Sequence, residues 1–229
     1  MSETSPKTVR VRIWDLPTRI FHWVLVLAVA ASVATAHVGG NAMEWHFRCG
    51  YLIFTLLAFR LLWGFVGGRW SRFSSFVYGP ATVWRYLRRQ GDGDGPLDTG
   101  HSPLGSLSVF ALLLFLGAQV GSGLFADDEI ATTGPLNKFV SNATGLLLSG
   151  YHADVGQWIL VALVSLHVAA IVAYRWRLRK DLVGPMIRGD KLLPSGVPAS
   201  RDTALTRALA VVLLTACAAV VACLVSLGG

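Results

Sequence analysis

The sequence predicts an all-α integral membrane protein, a four-helix bundle with an additional fifth transmembrane helix at its C-terminal end. Three observations predict it. The 229 residues are 53% hydrophobic and only 14% charged, whereas a soluble domain carries about 25% charged residues. Five apolar stretches stand out at 20–38, 46–67, 104–126, 152–174 and 205–227, each near the ~20 residues that a spanning helix needs. The basic residues fall almost wholly into alternate connecting segments, the pattern of a chain threaded back and forth through a bilayer.

Taken in order, residues 1–12 read as a polar N-terminal tail. Residues 13–191 hold four of the apolar stretches and form one membrane domain. The first stretch carries His22 and Trp23 at its head and ends in no clear small-residue cleavage site, so it is read as a span rather than a removed signal. The loop at 68–103 contains Ala-Thr-Val-Trp-Arg-Tyr-Leu-Arg-Arg, which predicts a short interfacial helix. Gly-Asp-Gly-Asp-Gly-Pro, just after it, predicts a turn-rich segment. The loop at 127–151 opens with Asp127, Asp128 and Glu129. Residues 192–204 read as a linker, and 205–229 as the additional helix, which contains no histidine.

Charge gives the expected orientation. Lys7, Arg10, Arg12 and Arg19 precede or open the first span. Arg69, Arg72, Arg85, Arg88 and Arg89 follow the second. Arg175, Arg177, Arg179, Lys180, Arg188, Lys191, Arg201 and Arg207 follow the fourth. Cytoplasmic loops are the basic ones, so the N-terminus is expected in the cytoplasm and the C-terminus in the periplasm of a bacterial inner membrane. The net charge of +7 is this topological bias together with affinity for membrane lipid, and not a nucleic-acid patch, because it is divided among juxtamembrane loops.

Cys49, Cys217 and Cys223 all lie in spans, and no Cys-x-x-Cys-His occurs, which excludes covalently attached c-type haem. The histidines carry the chemistry. His152 and His167 are fifteen residues apart in one apolar segment. Fifteen steps of a helix leave a residual of about 60°, so both imidazoles point to roughly one side, separated by roughly 22 Å along the axis. One helix would thus offer an axial ligand near each face of a bilayer core about 30 Å thick. By depth, His22 pairs with His167 near the inner face and His46 pairs with His152 near the outer face. Two bis-imidazole sites suit two low-spin haems that cycle between Fe(II) and Fe(III). They suit zinc or copper less well, since those would want three or four ligands at one depth. Spacing alone leaves His37 as a rival to His46. Arg19, one turn before His22, and Arg60, fourteen residues after His46, are candidate cations for haem propionates. His101, in Gly-His-Ser-Pro-Leu-Gly ahead of the third span, is a loop residue that would cap the helix entry or meet a propionate or quinone.

The residues now carry a family resemblance. Trp-Asp-Leu-Pro-Thr-Arg-Ile-Phe-His-Trp at 14–23, Glu-Trp-His-Phe-Arg-Cys-Gly-Tyr at 44–51 and Arg-Leu-Leu-Trp-Gly-Phe-Val-Gly at 60–67 carry its first half. Arg-Phe-Ser-Ser-Phe at 72–76, Gly-His-Ser-Pro-Leu-Gly at 100–105 and Gly-Leu-Phe-Ala-Asp-Asp-Glu-Ile at 123–130 follow. His-Val-Ala at 167–169 and Asp-Leu-Val-Gly-Pro-Met-Ile-Arg-Gly-Asp-Lys at 181–191 close it. As an ordered set they resemble the bacterial cytochrome b561 and Ni-hydrogenase b-type cytochrome family. That resemblance implies four helices holding two haem b groups. The first and second helices give one histidine each and the fourth gives two, which falls on His22, His46, His152 and His167. The fifth span departs from the minimal four-helix pattern.

The expected function is transmembrane electron transfer through the two haems. The resemblance implies exchange with quinone or quinol on one side. On the other it implies a redox protein, either a periplasmic c-type cytochrome or the catalytic subunit of an oxidoreductase. The chain is then an electron-transfer cytochrome b with no catalytic side chains assigned; whether it acts as an enzyme, as a subunit of an oxidoreductase complex or as a homo-oligomer stays open at this point. Two rivals stand beside this reading: a self-contained superoxide:quinone oxidoreductase, and a haem-bearing membrane anchor.

Overall fold

The computed structural model describes residues 8–88, 96–129 and 132–228. The chain opens with strand β1 (Thr8–Arg12) and enters helix α1 (Leu16–Val38). Asp15 caps that helix, since its Oδ1 accepts the Thr18 N–H at 2.8 Å and so satisfies one of the unpaired donors of the first turn. Gly39 and Gly40 follow with φ of 66° and 54°, left-handed values that stop the helix at little cost only for glycine. A 3₁₀ turn leads into α2 (Met43–Val66). After two further 3₁₀ turns comes the short α3 (Pro80–Leu87), with proline at its first position. A short helix is expected from sequence at this place. The Gly-Asp-Gly-Asp-Gly-Pro turn expected after it lies mostly outside the described residues.

Helix α4 (Pro103–Phe125) is the third span. The fourth begins earlier than its hydropathy suggests. Helix α5 (Asn142–Gly150), capped by Ser141, runs through a π-helical turn at Tyr151–Gly156 directly into α6 (Gln157–Arg177). Helix α7 (Val183–Arg188), strand β2 (Asp190–Pro194) and helix α8 (Ala204–Ser226) complete the chain. The five long helices, Leu16–Val38, Gly40–Val66, Pro103–Phe125, Asn142–Arg177 and Ala204–Ser226, are each long and apolar enough to cross a membrane. The all-α, multi-pass membrane class expected from sequence is therefore the class observed.

Two strands interrupt that picture. Residues 8–12, read from sequence only as polar tail, pair antiparallel with 190–194, with Arg10 opposite Leu192. Each strand is five residues long, too short to announce itself in composition, and its partner lies across four spans.

The chain divides into two compact units. The first contains residues up to 21, 60–108 and 170–211. It comprises the sheet, the connections that follow the second and fourth long helices, and one end of each long helix. Its core gathers Val11, Ile13 and Trp14 against Trp70, Met186, Leu193 and Val197. A polar centre adjoins it. Asp15 is fully buried and accepts, besides Thr18, the indole N–H of Trp63 at 3.2 Å, the Gly68 N–H at 3.0 Å and the Ser71 hydroxyl at 2.8 Å. A buried carboxylate is tolerable only when its oxygens are satisfied in this way.

The second unit contains residues 22–59, 109–169 and 212–229. Its core is one layer drawn from four helices: Ala28 of α1, Ile53 and Leu57 of α2, Leu116 of α4 and Leu160 of α6. Within the same unit α8 buries Cys217 and Val221. It lines a shallow groove with Tyr51, Leu52 and Thr55 of α2.

Candidate functional site

His22, His46, His152 and His167 all fall in the second unit, on α1, on α2, in the π-helical turn and on α6 respectively. All four are half-buried. One of the two expected pairs is brought together directly. The rings of His46 and His152 have centroids 5.8 Å apart and planes at 87°. That separation is about the span of two imidazoles sharing one metal atom, with metal–nitrogen bonds of roughly 2 Å.

The second nitrogen of each ring is already committed. His46 Nδ1 lies 2.9 Å from the Ser32 carbonyl oxygen, with the Ser32 hydroxyl at 3.1 Å. His152 Nδ1 lies 2.9 Å from the Gln119 carbonyl oxygen, with the Ser122 hydroxyl at 3.4 Å. A carbonyl oxygen only accepts, so the proton of each neutral imidazole sits on Nδ1. The Nε2 lone pair is left for a metal, the arrangement in which a ligating histidine is oriented by its second nitrogen.

The other pair is His22 and His167. His167 is near enough to His22 to act on it electrostatically. His22 Nδ1 is buried without a hydrogen-bond partner among the described residues. A buried imidazole nitrogen of that kind is costly unless something satisfies the ring. His37 behaves differently from all four. Its ring is exposed, and Nδ1 bonds the Val33 carbonyl one turn back on its own helix at 2.9 Å.

Gly50, one turn after His46 on α2, and Gly121 on α4 are half-buried, yet a side chain added at either would meet nothing within 4 Å. Paired imidazoles with committed Nδ1, a buried ring nitrogen in need of a partner, and open space at half-buried glycines together fit haem ligated by histidine.

Arg19, Arg60 and His101 belong to the first unit. Arg19 donates to the Ile187 carbonyl at 2.7 Å and lies 4.0 Å from Asp202. Arg60 is 3% exposed. Its guanidinium lies over the Phe73 ring at 4.8 Å, with the charge of Asp15 acting on it. Its Nη1 is buried without a hydrogen-bond partner among the described residues. His101 stands between Trp14 and Phe76, with ring centroids at 4.7 and 4.4 Å, and its carbonyl accepts the Tyr78 hydroxyl at 2.9 Å.

Sequence reasoning missed three residues. Asp15 sits in the Trp-Asp-Leu-Pro entry to the first span, where it reads as an ordinary interfacial charge. Ser32 and Gln119 are polar residues inside apolar stretches. That is the signal by which both could have been found, since a polar side chain within a span has a partner.

Comparison with known proteins gives the family of the chain. The family model described as prokaryotic cytochrome b561 matches residues 13–189. The probable Ni/Fe-hydrogenase 1 B-type cytochrome subunit of Escherichia coli strain K12 is 25% identical over 227 residues, covering 82% of this chain and 94% of that protein. The probable Ni/Fe-hydrogenase B-type cytochrome subunit of Azotobacter vinelandii is 26% identical over 228 residues, covering 84% and 92%. That of Rhizobium leguminosarum bv. viciae is 23% identical over 220 residues, covering 80% and 89%. No solved structure matches.

Proposed function

Since this chain belongs to the prokaryotic cytochrome b561 family and carries electrons in a membrane through b-type haem, we propose that it holds two haems. His46 and His152 bind the outer one, and His22 and His167 the inner one. The observation that carries the reading is the outer pair: two rings 5.8 Å apart, each with Nδ1 committed to a helix carbonyl. Haem, when bound, supplies a one-electron Fe(II)/Fe(III) couple. The chain's own residues do the rest. The carbonyls of Ser32 and Gln119 hold the His46 and His152 tautomers so that Nε2 is left to ligate, and apolar helices keep water and ions out of the bundle. Arg60, a buried cation with an unsatisfied Nη1, is the propionate partner this reading favours. Arg19, already engaged by Ile187 and Asp202, and His101, whose ring is tilted against those of Trp14 and Phe76, are weaker candidates.

The reading extends to partners. The relatives are named as B-type cytochrome subunits of Ni/Fe-hydrogenase, which favours an oxidoreductase subunit as the electron source or sink, with quinone at the other end of the path. The basic loops favour an N-terminus in the cytoplasm.

The test is the haem-to-protein ratio and the reduced-minus-oxidised spectrum of the wild type and the four single His→Ala variants. Two haems per chain are expected. His46→Ala and His152→Ala should remove one and the same spectral component, and His22→Ala and His167→Ala the other. A single haem indifferent to His46 and His152 would overturn the two-site reading.

A further inference from the structure

His152 is held from two directions by one residue. The Gln119 carbonyl takes the ring Nδ1–H at 2.9 Å. The side-chain amide of the same Gln119 donates to the backbone carbonyl of His152 at 2.8 Å. That carbonyl lies in the π-helical turn Tyr151–Gly156, where hydrogen bonding shifts from the i+4 to the i+5 N–H and the backbone is locally rearranged. Gln119 thus grips both the ring and the peptide that carries it.

Two glycines make the grip possible. A Cβ on Gly156 would lie 2.1 Å from Gln119 Oε1, and a Cβ on Gly123 would lie 2.8 Å from His152 Cε1. The first glycine admits the amide and the second admits the imidazole. Ser122, between Gln119 and Gly123 on α4, adds its hydroxyl at 3.4 Å from Nδ1. All of these residues lie in the second unit.

We propose that Gln119 is a positioning residue for the His152 imidazole, setting the orientation of that ring and the strength of its Nδ1 hydrogen bond. The proposal rests on the reading of His152 as a haem ligand. A ligand histidine whose Nδ1–H is well bonded is a stronger donor at Nε2, and hydrogen bonding around an axial ligand is one of the levers on haem potential. Loosening the grip therefore changes one haem's electronic signature without removing it.

The experiment uses the full-length, haem-loaded protein in four variants: Gln119→Leu, Gly156→Ala, the double variant, and His152→Ala. Leu114→Ala, exposed on the same helix, is the control. The readouts are haem-to-protein ratio, low-spin electron paramagnetic resonance of the oxidised protein, and the midpoint potential of each spectral component. Gln119→Leu should keep the haem ratio but shift the g-values and midpoint of the component that His152→Ala abolishes, with the other component unmoved. Gly156→Ala displaces the same amide without deleting it and should give the same shift. The double variant should shift no further than either single, since both remove one interaction. Wild-type spectra and potentials in both single variants would overturn the proposal. If Gln119→Leu does not assemble, Gly156→Ala decides alone. Should His152→Ala abolish no component, the ligand assignment fails and the positioning role falls with it. Unmoved spectra alongside a clean His152→Ala loss would instead reject the positioning role only.

Discussion

The Trp63 indole donates to Asp15 Oδ1 at 3.2 Å across forty-eight residues of chain. It joins the C-terminal end of α2 to the N-terminal cap of α1. With Gly68 and Ser71 on the other oxygen, Asp15 is the polar centre of the first unit. Asp15→Asn places an amide N–H where a donor already points and leaves at least one of these donors unsatisfied. A loss of about 3 kcal/mol is expected, since a buried charged acceptor is replaced. Thermal unfolding in detergent would read it as a lowered midpoint. Gly68→Ala should act similarly, because its Cβ would fall 2.3 Å from Asp15 Oδ2. A wild-type midpoint in both variants would show that the centre is not under stress.

His37 is the rival that spacing alone could not dismiss. Its exposed ring bonds within its own helix. His37→Ala should keep the wild-type haem ratio and both spectral components. Loss of a component would transfer the outer ligand role from His46 to His37.

The Tyr86 and Tyr174 hydroxyls are 2.8 Å apart, and Tyr86 also donates to Asp98 at 3.1 Å. Asp98 is itself paired with Lys180 at 2.6 Å. Tyr86→Phe should cost about 1 kcal/mol, and Tyr86→Phe with Tyr174→Phe less than the sum, since both lose one shared bond. Burial first, then the hydrogen bond and charge of Tyr174 and the charge of Asp98, raise the Tyr86 phenol. A raised acid stays protonated in the folded state, so this contribution is fully present below the unfolded value of about 10 and is lost as pH rises beyond it. Unfolding midpoints measured across alkaline pH, in wild type and Tyr86→Phe, should converge.

Asp202 works in the opposite sense. Its side chain is 6% exposed and accepts from Arg12 at 2.9 Å and Arg207 at 2.8 Å. Partial desolvation would raise its carboxyl. The Arg207 and Leu16 hydrogen bonds, with the charges of Arg207 and Arg12, outweigh that and lower it. A lowered carboxyl contributes stability above its unfolded value of about 3.9 and loses it as pH falls through the lower folded value. Asp202→Asn should cost about 1 kcal/mol at neutral pH after solvent screening and nothing near pH 2. A cost independent of pH would point to shape rather than charge.

The five spans were legible because each is a run of about twenty apolar residues, and nothing soluble needs that. The histidines were legible because imidazole is rare at such depth and fifteen-residue spacing has a geometric meaning. Helix α3 announced itself by the stretch Ala-Thr-Val-Trp-Arg-Tyr-Leu-Arg-Arg. The π-helical turn did not, because a shift from i+4 to i+5 bonding leaves no mark on composition. The grip of Gln119 on His152 needed coordinates, since the two are thirty-three residues apart. The role of Asp15 was hidden for the same reason. A single carboxylate at a span entry looks alike whether it meets headgroups or four donors.

The pairing of β1 with β2 carries a consequence for biosynthesis. Residues 8–12 leave the ribosome before the spans that follow them, but their partners at 190–194 follow roughly 180 residues later, about 10–40 s at ordinary translation rates. By then the four hydrophobic segments between the two strands have already emerged. The sheet is thus a clasp that cannot fasten early. It closes only on a chain whose first four passages have brought both strands to the same side, so a misthreaded intermediate is left unfastened and open to proteolysis.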